Sequence, residues 1–378
     1  MKHPILKENS KRLKRFLSPF DPLFGDPYDP NRFLLNVQGI KKIYLPSKMK
    51  AIPFIKILIA KGALSKFIRS QFFKDNFHSV AHFHKIFLTS RLKYDFPFWI
   101  YHNCNINLNL KEHISLLRHL QKIRWKNKGI RLIIRKNPRH DISTLINLFI
   151  IWHKEFSKPS LNVMTISNSA KNMKLHREFF LNSKEISLSP SFNFKKTESA
   201  GSLYSPKTDS RFWFGTLSNP DFPRGRSFSY LLLHDVNCWK NKGSENIGKV
   251  IRASFPVVPD DPDSVIILTT DPFIRKSFIG KEWLAASNAQ SPFKTIKLPW
   301  HECRNKIYRF DFPDDKIKFH KNLIHYRNRR KFPHFPNVDA RYLHSLWFQG
   351  LPLEVIHWYV TESLYYKSAH QFYQQIPV

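Results

Sequence analysis

The middle of this chain is built from short apolar runs set between polar turns. Leu132-Ile133-Ile134 is the first. A polar turn over residues 135–141 follows, then Ser143-Thr144 and a longer apolar segment over 145–152. Residues 162–167 repeat the short form, and helical spacing follows over 170–180. Residues 211–215 form an aromatic run. Residues 229–233 are wholly apolar after Ser229 and end at His234-Asp235, and 265–268 end at Thr269-Thr270-Asp271-Pro272. Uninterrupted apolar runs of this length, bounded by turn residues, predict strands buried on both faces. Upstream, Ile114, Leu116, Leu117, Leu120 and Ile123 recur at helical spacing within 110–125. Residues 181–210 are rich in Ser and Lys and read as a surface loop or hairpin. Residues 301–340 read as basic loop, and 343–366 as helix interrupted at Pro352.

Apolar strands with polar C-terminal ends, separated by helical segments, predict an α/β fold on a mostly parallel sheet. Ligands bind at the carboxyl edge of such sheets, so Ser143, Thr144, Asp235 and Thr269 are expected to converge there. A shared site requires the strand at 132–134 to neighbour the one ending at Asp235, with their ends within about 15 Å. Strand, loop, Ser/Thr and helix in that order is the layout of a phosphate-binding loop. A helix N-cap accounts equally for Ser143 and Thr144.

The chain of 378 residues has room for two domains, or for one α/β domain with extensions. Its net charge of +34 favours a polyanionic partner, nucleic acid before an acidic membrane surface. A genome rich in Lys, Asn and Phe codons would produce the same excess, and 34 Phe agree with that. Residues 1–95 are basic, aromatic and poorly periodic, and 52–73 fit one or two basic helices. The run at 52–64 is too short and too charged to span a bilayer and reads as a partly buried or interfacial helix, so the chain is expected to be soluble, with no membrane among its partners. The N-terminus has no apolar stretch typical of a secretory signal. Cys104, Cys238 and Cys303 form no metal or disulfide pattern, which fits a reducing interior compartment.

Four stretches, in order, resemble the ATPase half of the large subunit of phage terminases, the motors that package DNA into capsids. Residues 136–144 read KNPRHDIST, against a family phosphate loop of roughly K-x-R-Q-x-G-x-S-T. Residues 224–239 read RGRSFSYLLLHDVNCW, against G-R-G-x-T and then L-H-x-S-E-x-A-x-W. Residues 259–272 read PDDPDSVIILTTDP, against a proline-rich turn and a strand ending E-S-T. Residues 291–300 read SPFKTIKLPW, and Trp358-Tyr359 leads to QFYQQIP at 371–377. The resemblance covers roughly residues 105–378. It implies a P-loop NTPase-like fold of the RecA or terminase type, with a basic N-terminal extension over 1–95. The ATPase domain would cover 96–300, and a linker and helical segment 301–378. It implies an ATPase half without the nuclease half, acting in the cytoplasm of a bacterial host. The implied ligands are ATP and Mg2+. The implied partners are double-stranded DNA, a ring of copies of this chain, a small terminase subunit and a portal.

The resemblance also implies roles. Lys136 would meet phosphate; otherwise it is a solvated lysine at a strand end. Pro138 falls on the family's arginine and removes a backbone N–H, and a one-residue shift would let Arg139 serve on phosphate and in catalysis. Asp141 replaces a loop glycine with a negative charge. A hydroxyl of Ser143 or Thr144 would ligate magnesium. Asp235 aligns with the glutamate that activates the attacking water, one methylene shorter. Alternatively it is the magnesium-side aspartate, with Val236 at the base's position. Thr269 and Thr270 align with the segment that senses the γ-phosphate. Arg224 and Arg226 would contact DNA or a neighbour's nucleotide, or form an exposed basic turn. His234 reads as a partly buried histidine at a strand end, and Trp300, Trp358 and Tyr359 as core.

Overall fold

A computed structural model describes residues 3–18, 92–93, 95–104, 113–125, 129–136, 142–156, 160–182, 193–197, 201–216, 227–239, 251, 254–271, 277–302 and 306–376. The possible helices within 52–73, the loop residues Pro138, Arg139 and Asp141, and Arg224 and Arg226 lie outside them. The described residues fall into two compact units. One holds those between 92 and 298; the other holds 3–18 together with 299–376.

The first unit is an α/β sheet of eight strands in the order β3-β4-β5-β2-β6-β7-β1-β8. Its strands are β1 (Ile130–Arg135), β2 (Asn162–Ser167), β3 (Lys195–Lys196), β4 (Ser202–Ser205), β5 (Ser210–Thr216), β6 (Tyr230–Leu233), β7 (Val265–Thr270) and β8 (Lys294–Lys297). The run β5-β2-β6-β7-β1-β8 is parallel, and only β3-β4-β5 pair antiparallel. The expected mostly parallel sheet is therefore present, and the Ser/Lys-rich region supplies the hairpin at its edge.

Alternation along the strands sorts the core into two layers. Leu132, Ile134, Val163, Tyr230, Leu232, Val265 and Ile267 face one side. There they meet α2 (Phe96–Asn103), α3 (Ile114–Trp125), α4 (Ile142–Glu155) and, through Phe180, α5 (Ala170–Leu181). Ile133, Met164, Ile166, Leu231, Leu233, Ile266 and Leu268 face the other side, against Trp239, Ile251 and Ile279 of α6 (Phe278–Ser287). Helix α4 is buried on every side from Leu145 to Lys154, which explains why its sequence lacks an amphipathic stripe. Its Lys154 ammonium donates to Ser205 Oγ at 3.0 Å beside the Phe194 and Phe212 rings. Burial pulls that amine down to about 7, with Glu155 opposing.

The second unit is helical. It comprises α1 (Pro4–Leu17), α7 (Pro313–His325), α8 (Ala340–Phe348), α9 (Leu353–Glu362) and α10 (Ala369–Gln375). Trp300, Tyr359, Leu343, Val355 and Phe372 are buried in its core, with Trp358 packed against them, as expected for the three aromatic residues. Residues 301–340 are not simply loop. Helix α7 forms there because Pro313 opens it, Asp314 and Asp315 occupy its first turn, and Phe319 and Leu323 share a buried face. The break near Pro352 is a helix end. Gly350, at φ 88°, lets the Leu351 N–H reach back to Leu346 O at 3.2 Å.

Candidate functional site

The carboxyl ends of the central strands form one polar rim. Pairing of Ile134 with Thr269 and of Ile166 with Leu233 aligns the ends of β1, β7, β6 and β2 in that order. Strand β1 does not neighbour the strand that ends at Asp235, as the sequence had suggested; β7 lies between them. Their ends nevertheless meet. Lys136, one residue past β1, places its Nζ 2.7 Å from Asp235 Oδ1. The two side chains are only 14% and 23% exposed, so Lys136 is not a solvated strand-end lysine.

Strand β7 is what positions Asp235. The Asp235 N–H donates to Thr269 Oγ1 at 3.0 Å, and Asn237 Oδ1 accepts from Asp271 N–H at 2.9 Å. Thr270 turns its hydroxyl to Asp271 O. The chain leaves β6 through a left-handed residue, Asp235, at φ 53° and ψ 49°. Such a conformation costs a non-glycine residue about 1 kcal/mol and is least unfavourable for Asp and Asn. A residue held there by its neighbours rather than by its own preference is a recurrent feature of ligand sites.

Behind Asp235 stand two histidines. His234 is 2% exposed, and neither ring nitrogen has a hydrogen-bond partner. It is fully buried, beyond the partial burial its position suggested. His176 of α5 stacks on it, with ring centroids 3.9 Å apart and planes 26° from parallel. Burial pushes His176 down to about 4, opposed by Asp235 and assisted by Lys136. Burial, His176 and Lys136 hold His234 well below the ordinary histidine range. Both imidazoles are therefore neutral near pH 7. Ser167 Oγ, at the end of β2, is also buried without a hydrogen-bond partner. Buried polar groups left unsatisfied in this way ask for an occupant or a mechanical reason.

Ser143 and Thr144 lie half-buried in the first turn of α4, which begins at Ile142. They sit inside the helix rather than at its cap. The rim thus joins Lys136, Asp235 and Thr269 directly and sets Ser143 and Thr144 on the helix that follows β1. His176, Ser167 and Asn237 were not singled out from the sequence. For His176 a signal existed: Met173, His176 and Phe180 share one face at helical spacing, and all three pack inward.

A mostly parallel α/β sheet with a lysine–aspartate pair at its carboxyl edge is the class of structure that this unit defines. The sequence matches no protein-family model and no curated protein. Three solved structures similar to it are large terminases of bacteriophages. The HK97 enzyme is 12% identical, with a TM-score of 0.41, over 66% of this chain and 50% of that one. The large terminase of a thermophilic bacteriophage is 9% identical, with a TM-score of 0.37, over 54% and 49%. The same thermophilic phage's enzyme in complex with ADP gives 10%, 0.36, 54% and 49%. The chain thus spans about half the length of the structures it matches.

Proposed function

We propose that this chain is a terminase-like ATPase subunit that couples ATP hydrolysis at the carboxyl rim to movement of double-stranded DNA. The observation that carries this reading is the Lys136–Asp235 pair, closed at 2.7 Å across the end of β7. A cation to meet phosphate and a carboxylate to orient water stand within one side-chain contact of each other. Thr269 holds the backbone of the carboxylate. The donor set suits a magnesium nucleotide. Lys136 and Arg139 would meet the phosphates, and Ser143 or Thr144 with Asp235 would hold the ion. Among the described residues no three His, Cys, Asp or Glu side chains gather as a metal cage. Mg2+ needs none, because it keeps water and phosphate ligands and takes only one or two from the protein. When bound, the ion would neutralise charge on the phosphates. Thr269 would report the state of the nucleotide to β7.

The charge balance adds to the case for DNA as the substrate of movement. The organisation that goes with this function is a basic stretch over 1–95, whose helix α1 packs with the last helices instead of standing apart, an ATPase domain over 96–300 and a linker with helices over 301–378. A ring of copies, a small subunit and a portal would complete the machine in the host cytoplasm. Among the described residues no helix is long and apolar enough to cross a membrane.

A second reading keeps nucleic-acid affinity without hydrolysis. Pro138 and Asp141 favour it, since one removes an N–H from the loop and the other brings a negative charge to phosphate. Nucleotide binding followed by calorimetry, and hydrolysis measured with and without duplex DNA, separate the two. DNA-stimulated turnover that vanishes in Asp235→Asn supports the motor. Turnover no higher than that of the variant leaves only the second reading.

A further inference from the structure

The helical unit gathers positive charge in one turn after α7. Arg327, Arg329, Arg330 and Lys331 fall within five consecutive positions, all exposed. Among the described residues none of the four has a carboxylate within ion-pair distance. The run is held firmly at both ends. The Arg329 N–H donates to Tyr326 O at 2.8 Å, at the end of α7. Phe332, 3% exposed, packs edge-on against Phe319 and closes a tight turn through Phe335 N–H to its own carbonyl at 3.0 Å.

A second group of basic side chains adjoins it. His320 of α7 faces Arg12 and His3 from α1 and His344 from α8, and His344 faces Arg327. Among the described residues the acid paired with this group is Glu8, which holds Arg12 at 2.9 Å. Arg12 also lies over the Trp347 ring at 3.6 Å, and His320 meets the edge of that ring. Burial first, and then the neighbouring basic groups, hold His320 and His344 below the ordinary histidine range. Folding that brings like charges together costs energy, which an anion would offset.

We propose that Arg327, Arg329, Arg330 and Lys331, with the adjoining Arg12, His320 and His344, form a docking surface for the phosphate backbone of nucleic acid. Three of the four exposed cations are guanidinium groups, whose planar fork fits phosphate oxygens in pairs. Anchoring at Tyr326 and Phe332 presents them pre-formed, so less side-chain and loop ordering opposes binding. A bilayer fits less well. The exposed apolar group beside this cluster is Phe348, against His344, and one ring offers no apolar face to insert. This surface rests on the reading that the chain binds nucleic acid, not on hydrolysis, so a failed ATPase assay leaves it intact.

The test uses the full chain and a DNA duplex of about 30 base pairs, titrated between roughly 50 and 200 mM salt. Replacing all four of Arg327, Arg329, Arg330 and Lys331 by Gln is expected to weaken binding about 100-fold or more. It should also flatten the slope of log K against log salt by about three. Arg329→Gln alone should lower the slope by about one. A matched control changes Lys171, Lys174, Arg211 and Lys281 to Gln, which removes the same charge from exposed positions of the α/β unit away from its open edges. It should leave the slope nearly unchanged. Because a phosphate raises nearby histidine pKa values, duplex affinity should rise as pH falls from about 8 to 6. The double variant His320→Gln, His344→Gln should remove that rise. Three results would overturn the proposal: binding by the turn variant within about threefold of the unaltered chain, equal losses in both charge variants, or a loss seen only with phosphatidylserine vesicles.

Discussion

Two lysine–carboxylate pairs in this protein close at the same 2.7 Å and do different work. In the helical unit, Lys316 meets Glu354, which is 2% exposed. Asn9 donates to both Glu354 oxygens, at 3.0 and 2.9 Å, and its own carbonyl accepts from Leu353 N–H at 2.7 Å. Every oxygen there is engaged, and the cluster ties α1 to α7 and α9. At the sheet rim, Asp235 has Lys136 on one oxygen and no aligned hydrogen bond to that buried atom. Its backbone is left-handed, and two neutral imidazoles lie behind it, with both nitrogens of His234 unused. The first pair is satisfied and therefore structural. The second is left incompletely satisfied, and under the proposed function it would exchange its partner for a ligand.

The largest effect that would separate the two is loss of stability. Glu354→Ala strands the Lys316 ammonium and the Asn9 amide, and should cost about 3–5 kcal/mol in denaturant unfolding of the helical unit. A loss under about 1 kcal/mol would mean that this pair is as exchangeable as the one at the rim.

Asp235→Asn should show the opposite pattern. Asn tolerates the left-handed backbone and keeps the N–H bond to Thr269, so the loss should be confined to the unpaired Lys136 ammonium, about 1–2 kcal/mol, well below that of Glu354→Ala. Any ATP turnover should fall on the order of 100-fold or more, measured by phosphate release. Large destabilisation with turnover retained would make Asp235 the structural member.

Acid sharpens the contrast next. His176 is neutral in the folded chain, with its pKa pushed down to about 4, below the unfolded value of about 6.5. The unfolded chain therefore binds the extra proton first. The stability contributed is fully present above about pH 6.5 and is lost as pH falls toward 4. Between pH 7 and 5 His176 alone should cost the α/β unit about 2 kcal/mol, and His234, depressed by the same burial, adds its own share. His176→Phe should remove the His176 share of that dependence and leave the rest.

The smallest effect concerns a backbone position with no charge at stake. A Cβ on Gly350 would meet nothing within 4 Å, yet its φ is 88°. Gly350→Ala should cost about 1 kcal/mol through backbone conformation alone, read as a shift in the unfolding midpoint.

Much of the α/β unit was legible in the sequence because its strands are buried on both faces. Residues 162–167 are bounded by polar turns, and the strand has those limits. Strand order was less legible. Nothing in VIILTT says that it separates IRLIIR from YLLL, since each carries a short apolar run that any neighbour could bury. Helix α7 leaves a faint signal in the sequence because its buried face is narrow, Phe319 and Leu323 among lysines and aspartates. Its Pro313-Asp314-Asp315 start was the available clue. At the site, the motif order brought Lys136, Asp235 and Thr269 to one edge, while His176 comes from a helix that no motif covers. The attachment of α1 through Asn9 was out of reach, because a contact across 345 positions leaves no local pattern.

The outer strands of the sheet carry one more consequence. Among the described residues, β3 is the pair Lys195-Lys196, and β8 begins with Lys294 and ends with Lys297. An open sheet edge is a template for adding strands from other molecules, and lysines there oppose it by mutual repulsion. Two copies meeting edge to edge would bring ammonium groups together on both sides. A chain with this much apolar strand is thereby guarded against growing into fibres when it is crowded.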